Sequence, residues 1–416
     1  MRNRTFDPAA FIRSAVDAVR TAPWLTAERI RIYGRTAAVF GWLALAVIVA
    51  TSTALVDRLG RPIGTDFSAF YAAGTLAQSG QAASAYDWAA LHAMEQTLFG
   101  PNALFYSWSY PPFALLPLSL LATLPYLWAL ALFIGLTFAA YVVVVRRLAP
   151  PGREALWAIV GFPGVFINAG HGQNGFVSAA LLGAGLLLLR RRPVLAGVAF
   201  GLLAFKPQLA LLIPIALAFG RCWTAIASAA ATVVVLAGIS VVAHGLPPWE
   251  AFLAATALSR QAILEDGATG FSRLQSVFGA VRLLGGPSSL AWTLQVAVSV
   301  LAAVVVARTW NGRAPLNVKG AILVIGGLLA TPFLNAYDLV LLALPAAMIA
   351  SSDVRGMSLP WERSAYLAAW LLPSVSVAIA ASVGVPLAPL LLAALLVLAV
   401  RRAAPRDASL PMAANT

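Results

Sequence analysis

Residues 37–71 read AAVFGWLALAVIVATSTALV followed by DRLGRPIGTDFSAFY, an apolar run, Ala37–Val56, that gives way at once to Asp57, Arg58, Arg61 and Asp66. A run of about 20 apolar residues matches the hydrocarbon thickness of a bilayer as a helix. Before it lie Arg2, Arg4, Arg13, Arg20, Arg29, Arg31 and Arg35. Basic residues mark the cytoplasmic flank of a span. The run therefore predicts a first helix leading outward, and it places the Gly64-Thr65-Asp66-Phe67 turn at the opposite membrane surface. About 36 residues before the span are too many for a cleavable signal peptide.

The whole chain follows the same pattern. Of its 416 residues, 61% are hydrophobic and 10% are charged, with a mean hydropathy of +0.85. Soluble domains carry roughly 25% charged residues. This is an all-α polytopic membrane protein by composition. The net charge of +13 comes from short basic clusters between apolar runs, not from a basic face, so nucleic acid is excluded as a partner. The single cysteine, Cys222, forms no internal disulfide.

Alternation of apolar runs and basic clusters predicts about 12 transmembrane helices: 37–56, 125–145, 155–168, 175–189, 193–205, 208–220, 223–243, 289–307, 320–334, 338–350, 364–382 and 385–400. In this frame residues 1–36 form a cytoplasmic basic arm, 37–400 the membrane domain and 401–416 a cytoplasmic tail in the cell membrane. Loops 57–109 and 244–288 are the two long extracytoplasmic ones. Tyr71 and Leu76, then Trp88, Leu91 and Leu98, predict two interfacial helices in the first loop, parted by Ser79-Gly80-Gln81. Residues 110–124 read as a membrane-seated segment that does not cross. Of the 28 basic residues, only Arg58, Arg61, Lys206, Arg260, Arg273 and Arg282 fall outside in this frame. Helices 193–205 and 208–220 have about 13 residues each, roughly 20 Å against a core of roughly 30 Å. Lys206 between them is expected in a recess below the outer surface.

The outer side gathers polar groups at helix ends: Asp66, Tyr110, His171, Gln173, Asn174, Lys206, Gln208, Arg260, Arg273, Gln275, Tyr337 and Asp338. Polar groups at membrane depth are costly and are paired or functional. Asp66 is read as a helix cap, a partner of Arg61, or a base. Lys206 is read as a phosphate contact or a side chain that snorkels to headgroups. Arg260 and Arg273 are read as phosphate contacts or solvated charges. No His or Cys pair has metal-ligand spacing, and a metal held by Asp66 and Asp338 is the weaker reading of those acids.

The ordered set Asp66-Phe67 with Tyr71, Tyr86-Asp87, Tyr110-Pro111-Pro112, Gly172-Gln173-Asn174, Lys206-Pro207 and Pro332…Tyr337-Asp338 resembles glycosyltransferase family 87. The resemblance covers about residues 60–340. It implies the GT-C membrane fold and a glycosyltransferase that moves mannose from a polyprenyl-phosphate donor to a glycolipid or glycan hydroxyl. By the same resemblance Asp66 is the catalytic base and Lys206 lies by the lipid phosphate, joined in this reading by Arg260 and Arg273. Tyr71, Tyr110, His171, Gln173, Asn174, Gln208, Gln275, Tyr337 and Asp338 would line the substrates. Leu274-Gln275-Ser276 stands where an Asn-Gln-Ser pattern is expected, a departure on the acceptor side. No metal or other cofactor is expected, because one lipid phosphate needs little neutralisation. An arabinofuranosyl donor uses the same machinery. A lipid or sugar transporter is the competing class, but it predicts a two-fold internal repeat that the halves do not display.

Overall fold

The computed structural model describes residues 8–352 and 358–404, all in helices and connecting turns apart from isolated bridges. Arg2, Arg4 and most of the expected tail 401–416 lie outside the described residues. Among the described residues, five helices are long and apolar enough to cross a membrane: Ala27–Ala50, Tyr126–Leu148, Trp223–His244, Ser288–Asn311 and Glu362–Val383. The protein is a helical membrane protein. Shorter apolar helices, among them Gly175–Leu188, Pro193–Leu202 and Leu316–Ala330, fill the space between the long ones. Leu316–Ala330 is buried along almost its whole length, so it forms the centre of the bundle.

The first span begins earlier than the apolar run and ends earlier. Thr26 caps it by accepting from the Arg29 amide at 3.3 Å. At its other end the hydroxyls of Thr51 and Ser52 bond back to Val47 and Ile48, and residues 53–62 fold into two short bridges. Hydroxyl groups that satisfy the last carbonyls end a helix that hydropathy alone would extend.

The expected single helix 155–168 is two helices, Arg153–Val160 and Pro163–Gly170. Pro163 has no amide to donate and starts the second piece as its first residue. The break serves packing. A Cβ on Gly161 would lie 1.9 Å from the Gly34 carbonyl, so the backbones here nearly touch. Similarly, Gly197 and Gly201 let Pro193–Leu202 approach Trp223–His244 so closely that a Cβ on either would meet the Ala225 or Ala229 carbonyl at 2.4 or 2.7 Å. Small residues at such crossings are how apolar helices associate in lipid.

Residues 57–109 carry helices Phe67–Gln78 and Trp88–Phe99, close to the pair expected, with Gly80 at φ +80° in the turn between them. This loop has its own apolar core, in which Phe67, Phe70, Leu76, Leu91, Trp108 and Tyr126 are buried. The 110–124 segment is a short 3-10 turn at Pro112–Ala114 and a helix, Leu115–Leu121, too short to span. Gly74 rests on the Leu118 carbonyl, which seats the segment under the loop.

Candidate active site

Asp66 takes its place from a strained turn. Gly64 has φ +77° and Thr65 has φ +23°, a left-handed value that threonine rarely adopts. Asp66 itself is helical, sits at the N-cap position of Phe67–Gln78, and makes no capping bond. The cap reading fails because a helical backbone turns the carboxylate away from the first free amides. The Arg61 reading fails too: that guanidinium donates through Nε and Nη2 to Asp57 Oδ2, at 3.0 and 2.8 Å.

What Asp66 meets instead is the His171-Gly172-Gln173-Asn174 turn. Gln173 donates through Nε2 to Asp66 Oδ2 at 2.9 Å, and Thr65 Oγ1 lies 2.9 Å from His171 Nδ1. Gly172 makes the approach feasible. Its φ is +60°, and a Cβ there would stand 2.5 Å from the Cβ of Phe67. Oδ1 of Asp66 makes no hydrogen bond with the described residues. Burial raises the carboxyl above its ordinary value. His171, the Gln173 bond, Lys206 and Arg273 pull the other way, in that order.

From Gln173 a polar network runs inward. Gln173 Oε1 accepts from the Asn174 amide at 3.0 Å and faces the Tyr110 hydroxyl at 3.4 Å. Asn174 Oδ1 accepts from Lys206 Nζ at 3.1 Å, and Lys206 Nζ bonds Asp338 Oδ1 at 2.5 Å. The Lys206 and Asp338 side chains are 3% and 1% exposed. Asp338 Oδ2 accepts from the Asn335 amide, and Tyr337 lies 5.0 Å below the lysine. Lys206 is therefore not snorkelling to the surface, and its counter-ion within the chain is Asp338. A carboxylate pair of Asp66 and Asp338 does not form, because Asp338 is turned to the lysine. Among the described residues, no three His, Cys, Asp or Glu side chains are arranged to hold a metal ion.

The two loop arginines separate. Arg273 is exposed and lies within electrostatic reach of Asp66, His171 and Tyr106. Arg260, exposed at the end of Pro247–Arg260, acts on Glu265. Several expected substrate contacts have structural partners. Tyr71 donates to the Leu124 carbonyl at 2.8 Å and packs on Phe67 and Tyr126. Buried Gln275 donates to the Ser272 carbonyl at 2.9 Å. Tyr110 packs on Phe70 and Trp108 and stacks on Phe205. Gln208 is partly exposed and makes no hydrogen bond with the described residues.

Two residues of the site were not singled out from sequence. Asn168, fully buried, donates to the Gln173 carbonyl at 2.9 Å and accepts from the Gly175 amide at 2.8 Å, which fixes the turn. Its position five residues before Gln173, at a helix end, was the available signal. Glu95, also fully buried, accepts from the Ser68 hydroxyl at 3.0 Å and from the Tyr106 amide at 3.2 and 3.3 Å. It joins the Asp66 helix to the segment leading to Tyr110. Burial pushes its carboxyl up to about 7.

The sequence profile of glycosyltransferase family 87 matches residues 108–334, more than half of the chain. The chain belongs to glycosyltransferase family 87, and its activity is that of a membrane glycosyltransferase. No curated protein and no solved structure matches it.

Proposed function

We propose that the protein moves a sugar, mannose in the first instance, from a polyprenyl-phosphate donor to a hydroxyl of a glycolipid or glycan. In this reading the bundle is a GT-C frame of about twelve crossings, with cytoplasmic termini and Asp66 facing the extracytoplasmic side. The observation that carries it is the state of Asp66. One carboxylate oxygen is fixed by Gln173, the other is unengaged, and a cation, Arg273, stands near.

The reaction is one inverting displacement. The acceptor oxygen attacks the anomeric carbon and loses its proton to Asp66, while the bond from that carbon to the phosphate oxygen breaks. The lipid phosphate leaves from the opposite face of the sugar, as geometry requires for inversion. A carboxyl raised by burial is a better match to this task than a solvated one, because general bases work best near the ambient pH. Arg273 stabilises charge on the leaving phosphate. Lys206 acts from behind, holding Asn174 and so the turn that aims Gln173. Its own contact with phosphate would require Asp338 to yield. No step needs a metal.

The test is transfer of radiolabelled mannose from polyprenyl-phosphate mannose to membrane glycolipid, in chelator, by purified wild type and Asp66→Asn. Wild-type transfer with a loss of at least about a hundredfold in the variant is expected for a removed base. Equal rates would remove Asp66 from that role. Transfer only from an arabinofuranosyl donor would keep the mechanism and change the sugar.

A further inference from the structure

At the end of the bundle opposite Asp66 lies a second site. A cavity of about 450 Å³ opens between the start of the Ala27–Ala50 helix, the Arg153–Val160 helix, Ala343–Ser352 and the first turns of Glu362–Val383. The Tyr126–Leu148 helix measures the separation. Tyr126 bonds the Ile63 carbonyl at the Asp66 end, and Ala149 and Pro150 line the cavity beyond the other end. At 1.5 Å per residue the two sites are roughly 35 Å apart.

The body of the cavity is apolar, with Ile30, Ile159, Phe162, Ala346 and Leu367 on its walls. Its volume falls within the range of about 300–1,000 Å³ typical of ligand sites. Apolar cavities of about 150 Å³ already exclude water and accept apolar guests. Polar groups gather at one end. Glu362 and Arg402 form a buried ion pair at 2.6 Å, and Arg363, exposed, bonds Ser358 at 3.0 Å. Tyr366 also lines the cavity, and its hydroxyl is buried without a hydrogen-bond partner among the described residues. A buried hydroxyl left without an acceptor is costly, so a missing acceptor is implied. The same face carries Arg29, Arg31, Arg35, Arg146, Arg147, Arg153 and Arg401, which favours anionic headgroups.

We propose that this cavity is a lipid site that takes one acyl chain of an anionic phospholipid from the leaflet on the arginine-rich side. The chain fills the apolar body, an ester carbonyl accepts from Tyr366, and the phosphate faces Arg363. A polyprenyl-phosphate donor is a poorer occupant, since its phosphate would belong to the distant Asp66 end.

The test is native mass spectrometry of the full chain released from nanodiscs of mixed phosphatidylglycerol and phosphatidylcholine. Wild type is expected to retain one phosphatidylglycerol. Ala346→Trp, which fills the cavity, should cut the retained fraction at least tenfold, and Tyr366→Phe should cut it several-fold. Tyr366→Phe removes a hydroxyl that bonds none of the described residues, so it serves even if the tryptophan variant fails to fold. Unchanged retention in Tyr366→Phe, equal retention of phosphatidylcholine, or a retained polyprenyl lipid would overturn the proposal. So would greater phospholipid uptake by a chain cut after residue 404, which would make the protein's own tail the occupant.

Discussion

Gln173 Nε2 and Asp66 Oδ2 meet at 2.9 Å although 107 positions separate them in sequence. The bond is one of several that join the first loop to the bundle. It ties the proposed base to a turn that is itself tied to Lys206 and Asp338. Gln173→Ala is expected to lower kcat by roughly 10- to 100-fold, the cost of a slightly misplaced reacting group. KM should change far less. A steady-state series in donor concentration checks this; a pure KM effect would place Gln173 in donor binding.

The Lys206–Asp338 pair sets a stability prediction. Breaking a buried ion pair from one side leaves an uncompensated charge and costs about 3–5 kcal/mol. Lys206→Met and Asp338→Asn should each lower the melting temperature in detergent sharply. The double variant Lys206→Met with Asp338→Leu should recover much of the loss, since an apolar pair of similar size is often neutral. A lysine held only for an external phosphate would give no such loss or recovery.

Glu95 predicts a pH dependence. Its carboxyl is raised from 4.5 to about 7 by burial, so between those values the folded protein binds more protons than the unfolded chain. Stability from this group is full below about pH 4.5 and is lost as pH rises through about 7. The slope should amount to roughly 2–3 kcal/mol across the window. Melting curves in detergent from pH 5 to 8 should fall for wild type. They should flatten for Glu95→Gln, whose carbonyl can still accept from both Ser68 and Tyr106. A wild-type curve that rises with pH would contradict the assignment.

Gly172→Ala carries two penalties: a φ of +60° and a Cβ driven against Phe67. A loss of about 2 kcal/mol or more is expected. Activity should fall beyond the loss of folded protein, because the clash pushes the Gln173 turn away from Asp66. Specific activity per folded molecule, counted by size-exclusion chromatography, separates the two effects.

The sequence was most informative where hydropathy and breakers coincide. The two helices of loop 57–109, the Tyr-Pro-Pro seat and the polar ends around His171, Lys206 and Asp338 were legible because Gly, Pro and charge interrupt long apolar runs. Helix ends at Ala27 and Ala50 were not, since capping by Thr26, Thr51 and Ser52 is a local hydrogen-bond matter that hydropathy ignores. Pro163 was a visible breaker inside 155–168 that the apolar pattern masked. The partner of Lys206 was out of reach for a different reason. Asp338 lies 132 residues away, and only tertiary packing brings a specific acid to a specific base. Glu95 gave no signal in the sequence, because nothing local reveals that Ser68 and Tyr106 close over it.

One modest contact has a wide reach. Leu274 pairs with Asn335 across an antiparallel bridge, and the Gln275 amide donates to the Leu334 carbonyl at 2.7 Å. This stitches the second long loop to the hairpin that carries Asp338. A displacement of the loop at Gln275 is therefore passed to the backbone that anchors the buried lysine pair. Between Arg260 and Arg273 the chain takes left-handed turns at Gly267 and Gly270, and Glu265 is held there by Ser288 and Trp292. A short backbone hem thus binds the second long loop to the hairpin that carries Asp338.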